Sequence, residues 1–389
     1  MVVSRFPYPL EKGDKLRAFH QLKEFHAHFS ITLVAICHRE IPKEEYAIVA
    51  THCDQLVLFR QHWLQKIVQI LLAWVNHKPL QVGYFFNRRA HRWIQKFIVE
   101  EQIEFAYCQL IRCSEYLKDQ HHVIKTLDYQ DAFSLGVKRR IENAPFYKKW
   151  LFRMEASRLV RYESRMFDFF EHKTMISEQD QQFIMHPDAA EIVCIANGID
   201  PSFFETLPEK KTHDLVFVGN MSYPPNIEAA IYIAEQILPQ LPQLNLLISG
   251  SSPHSRVKKL LHNTQIELTG WVDDIRTSYA RGKVFVAPMM IGTGMQNKLL
   301  EAMAMGIPCV TTSLANNAIK GTHNQHILVA ETAEEFIDAI QRLLGDAELY
   351  EEISNNAREY VRTHFSWETT TNTLVEVIQK RPKGKVNFE

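Results

Sequence analysis

Four residues in the stretch "GTGMQNKLLE" (292–301), Gly292, Gly294, Lys298 and Glu301, have the types and spacing to grip a charged, hydroxylated ligand. Glycines in a turn let the backbone approach a ligand closely. The free N–H groups of a helix start favour an anion there. Lys298 and Glu301 are three residues apart and therefore neighbours on one helix face. The lysine can neutralise a phosphate, and a carboxylate one turn deeper can accept from two sugar hydroxyls. This chemistry fits a nucleotide diphosphate. The same spacing also suits a surface ion pair worth only about 0.2–0.5 kcal/mol, so the elements that hold the pair decide between the two readings.

Thr293, with Gln296 three residues on, fits a capping box, and Gly306 with Pro308 beyond it fits a helix stop. The helix is therefore expected over 294–305, burying Leu299, Leu300 and Met303. The apolar run "KVFVAP" precedes it and "IPCVTT" follows. The same alternation runs back through "DLVFVGN" (214–220), "LNLLISG" and "IELTG" as strands, with helices at 254–262 and 274–281. After "MSYPP", Asn226 reads as the N-cap of a helix that buries Ile227, Ile231, Ala234 and Leu238. Continuous apolar strands alternating with helices mean βαβ units and a parallel sheet covered on both faces. The first half repeats the pattern, with strands at 30–36, 55–59, 104–110, 122–128, 173–178 and 191–198 and helices at 14–28 and about 145–170.

Residues 1–199 thus read as one α/β domain and 214–364 as a second, joined by a polar linker at 200–213. Residues 365–389 read as a last helix with a basic tail. Ligands of open α/β sheets sit at the carboxyl ends of strands, so chemistry is expected in loops that follow strands. The chain of 389 residues is too long for one ordinary core. Its 46% hydrophobic and 23% charged residues are those of a globular protein, and a net charge of −1 gives no general attraction to nucleic acid. The six cysteines form no C-x-x-C pair and read as reduced thiols of a cytoplasmic protein. The start lacks the apolar stretch of a signal peptide, and the most apolar run, Ile67 to Val75, is too short to span a bilayer.

Asp273 and Asp274 invite a metal but read better as acids at a helix start. The pairs His26/His28, His121/His122 and His323/His326 have no third ligand at a telling spacing, so no metal site is expected. The stretch 138–165 carries nine Lys/Arg against three Glu, interleaved with Phe146, Tyr147, Trp150 and Phe152. It reads either as a solvated helix surface or as a face that rests on the inner leaflet of the membrane.

"KLLEAMAMGIPCVTT" resembles the nucleotide-sugar-binding segment of glycosyltransferase family four, retaining enzymes of the GT-B fold. "FPYPLEKGDKLRAFHQL", "ANGID", "FVGNMSYPPNIEAA", "LTGWVDDIRTSYARGKVFVAP" and the terminal "FSW" plus helix carry the resemblance along most of the chain. It implies two Rossmann-like doubly wound domains facing each other across a cleft, whose closure excludes water. It also implies transfer of a sugar from a nucleotide-diphosphate sugar to a hydroxyl of a glycan or lipid-linked acceptor, with retention, no cofactor and no metal. By the same resemblance Glu301 is the second glutamate of the E-x7-E motif and holds the donor ribose. Thr293 stands where the first glutamate belongs, so contact with the donor sugar passes either to the Gly292–Gly294 backbone or to Thr293. Gly219 and Asn220 join the donor site. Lys298 takes the diphosphate, with Arg256 or Arg276 as helpers. On the acceptor side Gly13 matches the family's glycine loop. Asp128, with Asp131 close by, falls near a family histidine, where a carboxylate can take a proton. A nucleotide-sugar epimerase of the same fold and a silent nucleotide-sugar binder remain as alternatives.

Overall fold

The structure, a computed structural model, describes residues 1–142, 144–291 and 295–381. The chain divides into two compact units, Met1–Asn197 with the segment from Thr370 on, and Gly198–Thr369.

The first unit is built on seven parallel strands: β1 (Val2–Val3), β2 (Thr32–Cys37), β3 (Gln55–Arg60), β4 (Phe105–Gln109), β5 (Ile124–Gln130), β6 (His172–Met175) and β7 (Val193–Cys194). Their order is β3-β2-β1-β4-β5-β6-β7. The strands read as unbroken apolar runs because alternate side chains enter two separate cores. In β2, Val34 and Ile36 join one core with Cys108 and Leu127, while Leu33 and Ala35 join another with Leu22 and Leu374. Each such Val, Leu or Ile side chain contributes about 1.5–3 kcal/mol over leaving it in water. Leu374, Val375 and Ile378 of the last helix, Trp367–Gln379, complete the second of these cores. β1 escapes sequence reading because two residues carry no periodicity, yet it pairs with both β2 and β4.

The second unit holds six parallel strands, β8 (His213–Val218), β9 (Leu246–Ser249), β10 (Ile266–Leu268), β11 (Gly282–Ala287), β12 (Cys309–Thr311) and β13 (Leu328–Val329), in the order β10-β9-β8-β11-β12-β13. The expected linker is not a free tether. Arg276 donates to Ser202 O at 2.9 Å, and Arg358 donates to Phe204 O, so its first residues are tied to this unit. In both sheets the chain builds outward on one side of its first strand and then crosses to the other. That reversal places a topological switch point between β1 and β4 in one unit, and between β8 and β11 in the other.

Candidate functional site

Gly219 ends β8, and the helix Pro224–Tyr232 follows a turn shaped by Asn220, whose Oδ1 accepts from the Ser222 N–H at 2.9 Å and the Ser222 hydroxyl at 2.8 Å. Asn226 is not the N-cap the sequence suggests. Prolines 224 and 225 occupy the first helical positions, where their fixed φ is already helical, so Asn226 falls inside the helix. Its side chain is buried and donates from Nδ2 to Asn220 O at 3.0 Å. A Cβ on Gly219 would lie 2.6 Å from that Nδ2, so the close approach of strand end and helix requires glycine there.

On the other side of the switch point, the helix after β11 runs Asn297–Ala304, three residues shorter at its start than expected, with Gln296 at the N-cap and no side-chain cap. Gly292, Thr293 and Gly294, and with them the expected capping box, lie outside the described residues. The far end is as expected: Gly306 has φ +67°, with Gly306 N–H on Met303 O at 3.0 Å and Ile307 N–H on Ala302 O at 2.9 Å. Those two bonds form a Schellman stop.

Lys298 and Glu301 do not form the surface ion pair that their spacing allows. The Lys298 ammonium donates to Asn226 Oδ1, lies 3.9 Å from Met289 Sδ, and stands 5.4 Å from the centre of the Phe217 ring. Burial pushes its pKa down to about 8. Glu301 Oε2 accepts from the Tyr279 hydroxyl at 2.7 Å, and burial pushes the carboxyl upward. Tyr279 is fully buried and also reaches Lys298 O at 3.2 Å. A half-buried cation and a half-buried carboxylate therefore sit at the switch point, each with one strong polar partner among the described residues and capacity for more. Asn226 and Tyr279, which aim the pair, escaped sequence reading. The proline pair ahead of Asn226 was the available signal; nothing in the spacing marks Tyr279.

The expected helpers are committed elsewhere. Arg256 pairs with Glu228, and Arg276 with Asp274 at 2.7 Å and Glu205 at 3.2 Å. Asp274 caps the helix Ile275–Arg281, accepting from Arg276 N–H at 3.0 Å, as an acid at a helix start should. Among the described residues no group of three His, Cys, Asp or Glu is arranged to hold a metal.

In the first unit, Gly13 opens the helix Gly13–Phe25, and a Cβ there would meet nothing within 4 Å. Asp128 is placed differently from the expectation. It is 0% exposed, pairs with Arg17 Nε at 2.7 Å, and accepts from the Tyr107 hydroxyl at 2.8 Å and the Thr174 hydroxyl at 3.0 Å. Arg17 in turn donates to Asn197 Oδ1 at 2.9 Å and Ala196 O at 3.2 Å. A carboxylate so enclosed holds the helix, β4, β5 and β6 together. Its oxygens are spoken for, and the geometry gives it a structural role in place of the proton-accepting one. Asp131 is exposed. A cavity of about 480 Å³ lined by Met1, Phe29, Trp93 and Phe105 lies at the opposite, amino-terminal ends of these strands.

Of the membrane-facing stretch, Phe146, Tyr147 and Trp150 are 87%, 64% and 61% exposed. They are joined by a surface the sequence did not reveal. The apolar run Ile67–Val75 belongs to a helix, Trp63–Val75, that leaves Trp63, Leu64, Leu71 and Val75 exposed. Trp74 meets Trp150 with ring centres 5.8 Å apart, making the two helices one apolar patch. No helix among the described residues is long and apolar enough to cross a membrane.

Residues 212–346 match the family model "Glycosyl transferases group 1". The chain is 28% identical over 189 residues (44% of this chain, 46% of the relative) to the putative glycosyltransferase YtcC of Bacillus subtilis. It is 28% identical over 206 residues (47% of this chain, 52% of the relative) to the UDP-Gal:alpha-D-GlcNAc-diphosphoundecaprenol alpha-1,3-galactosyltransferase of Escherichia coli. It thus spans about half the length of these curated relatives. Among solved structures, Anabaena Alr3699/HepE in complex with UDP and glucose superposes with a TM-score of 0.64 at 13% identity, over 96% of this chain and 97% of that one. Residues 212–346 thus match a group 1 glycosyl transferase domain, and the chain's two Rossmann-like parallel sheets give it the GT-B fold of its structural neighbours.

Proposed function

We propose that the chain is a glycosyltransferase that moves a sugar from a nucleotide-diphosphate sugar to a hydroxyl acceptor on a glycan or lipid carrier, with retention and without a metal. The observation that carries this reading is the half-buried Lys298 ammonium, which among the described residues has no carboxylate on it, beside Glu301 at the switch point between β8 and β11. A diphosphate supplies the charge that Lys298 lacks, and the helix start adds N–H donors. As the sugar leaves, negative charge grows on the diphosphate, where a preorganised cation stabilises it most. Glu301, held by Tyr279 through one oxygen, offers the other to the ribose hydroxyls. Gly13 leaves open room for the acceptor. The group 1 domain and relatives named as glycosyltransferases support the reaction class.

The test is a thermal-shift series with nucleotide-diphosphate sugars, since a bound donor raises the melting temperature with its affinity, followed by assay of nucleoside-diphosphate release with and without acceptor. Stabilisation by one donor and its slow hydrolysis are expected. A series in which no donor shifts the melting temperature would sink the reading.

The same reading seats the enzyme peripherally on an anionic bilayer. The exposed Trp63, Leu71, Val75, Phe146 and Trp150, with Lys66, Lys148 and Lys149 among them, are the mixture that beds into a headgroup layer. Trp63→Ser with Leu71→Ser should reduce co-sedimentation with vesicles of phosphatidylcholine and phosphatidylglycerol. Unchanged sedimentation would remove the membrane from the account.

A further inference from the structure

The switch point of the first unit lies between β1 and β4, and an arginine follows each strand: Arg5 after β1 and Arg112 after β4. Arg112 is partly buried. Its guanidinium stands 4.8 Å from the centre of the Phe85 ring and 4.5 Å from that of Phe133, and its Nε donates to Gln81 Oε1 at 3.0 Å. Among the described residues it forms no ion pair, and its two terminal nitrogens donate to no protein group. Arg5 lies 5.3 Å from the same Phe85 ring and is held by Asp14 at 2.5 Å, the one carboxylate in the group. Lys66 stands 5.1 Å from the Tyr84 ring. Between them the His38 ring, just past the end of β2, lies 5.2 Å from both Tyr84 and Phe85, and among the described residues neither of its nitrogens has a hydrogen-bond partner.

Electrostatics agrees with this geometry. His38 is pushed down to about 4, by burial first and then by Lys66, Arg5, Arg112 and Lys12, all of one sign. Arg112 is pushed down to about 10 by burial and by Arg5, with Asp14 opposing. A guanidinium withdrawn from water without an acid partner is costly. Aromatic faces offset only part of that cost. The fork of terminal N–H groups suits a planar or tetrahedral oxyanion. Several cations against one carboxylate favour a doubly charged group over a single carboxylate.

We propose that Arg112 and Arg5, with Lys66 adding charge, form a phosphate- or diphosphate-binding site at the β1/β4 switch point, and that it holds the anionic group of the sugar acceptor. This rests on the glycosyltransferase reading for the word acceptor. The anion site itself does not need that reading. The acceptor is then a phosphate-bearing molecule, either a lipid-linked diphosphate or a soluble phosphate ester.

The experiment is calorimetric titration with inorganic pyrophosphate, with circular dichroism and a melting curve for each variant. Because the Lys298 site also attracts pyrophosphate, the background is Lys298→Ala. There Arg112→Gln should weaken the remaining pyrophosphate binding by about tenfold or more, the loss expected for charged hydrogen bonds. Arg5→Gln should weaken it less. Should Arg112→Gln fail to fold, Arg112→Lys, which keeps the charge but loses the fork, should weaken binding severalfold. Equal pyrophosphate affinity in Lys298→Ala with and without the Arg112 change would overturn the site. With Lys298 intact, Arg112→Gln should leave nucleoside-diphosphate affinity unchanged. Failure of the donor reading shows instead as no nucleoside-diphosphate binding in the wild type, with Arg112-dependent pyrophosphate binding still present. The source is separated by two further arms. A lipid-borne group gives Arg112-dependent binding to phosphatidylcholine vesicles containing phosphatidic acid and not to phosphatidylcholine alone. A soluble ester gives Arg112-dependent binding of glucose 1-phosphate with no vesicle difference.

Discussion

Two carboxylates near the carboxyl ends of strands were candidates for chemistry, and the two units treat them in opposite ways. Asp128 in the first unit is enclosed by Arg17, Tyr107 and Thr174, all from its own fold. Glu301 in the second has, among the described residues, Tyr279 alone as a hydrogen-bond partner, and the neighbouring Lys298 turns to an amide oxygen instead of to it. Asp128 is fully buried and Glu301 half-buried, so withdrawal from bulk water alone does not distinguish a site from a strut. Satisfaction does. A buried polar group whose partners are all present is part of the frame, while one left with spare capacity at a switch point is poised for a ligand.

The sharpest way to break this contrast is Asp128→Asn. It leaves the buried Arg17 guanidinium without a counter-charge, and removing one partner of a buried pair costs about 3–5 kcal/mol. Urea denaturation should show the midpoint falling accordingly. An unchanged midpoint with lost turnover would return Asp128 to catalysis. Glu301→Gln should do the reverse, leaving the midpoint nearly unchanged while weakening donor binding by about 1–3 kcal/mol, the cost of an unmet buried polar group. A 2′,3′-dideoxyribose donor should bind poorly to the wild type and suffer little further from the substitution, because the two changes remove the same contact. Simple addition of the two losses would mean that Glu301 does not touch the ribose.

A smaller effect comes from pH. Burial holds the empty Lys298 near 8. A bound diphosphate favours the charged ammonium and raises that value, so binding above pH 8 takes up a proton. As far as Lys298 is concerned, nucleoside-diphosphate affinity should therefore be flat from about a unit below pH 8 downward. It should weaken as pH rises beyond, by at most about tenfold per unit. The slope should vanish in Lys298→Ala; a slope that persists there belongs to another group.

Both sheets were legible because a parallel strand covered on both faces carries a continuous apolar run, as Leu33–Cys37 of β2 and Leu215–Val218 of β8 do. β1 and β13 were not, since two residues carry no pattern and only pairing defines them. Lys298 and Glu301 were visible as types at a spacing, but their partners were not, because Asn226 and Tyr279 arrive from other segments. Asp128 was seen as a carboxylate near a strand end. Its enclosure needed Arg17, 111 residues away. The exposed face of the helix Trp63–Val75 was not legible either, because an apolar run does not itself say whether the fold covers it.

The most direct measurement is calorimetric titration of a nucleoside diphosphate, and of the same nucleoside without phosphates, into wild type and Lys298→Ala. In Lys298→Ala the diphosphate should lose about 1.5–3 kcal/mol of binding, the range for a hydrogen bond to a charged group, while the nucleoside should be bound equally by both proteins. Equal losses for the two ligands, or no loss for either, would contradict the assignment of Lys298 to the donor diphosphate.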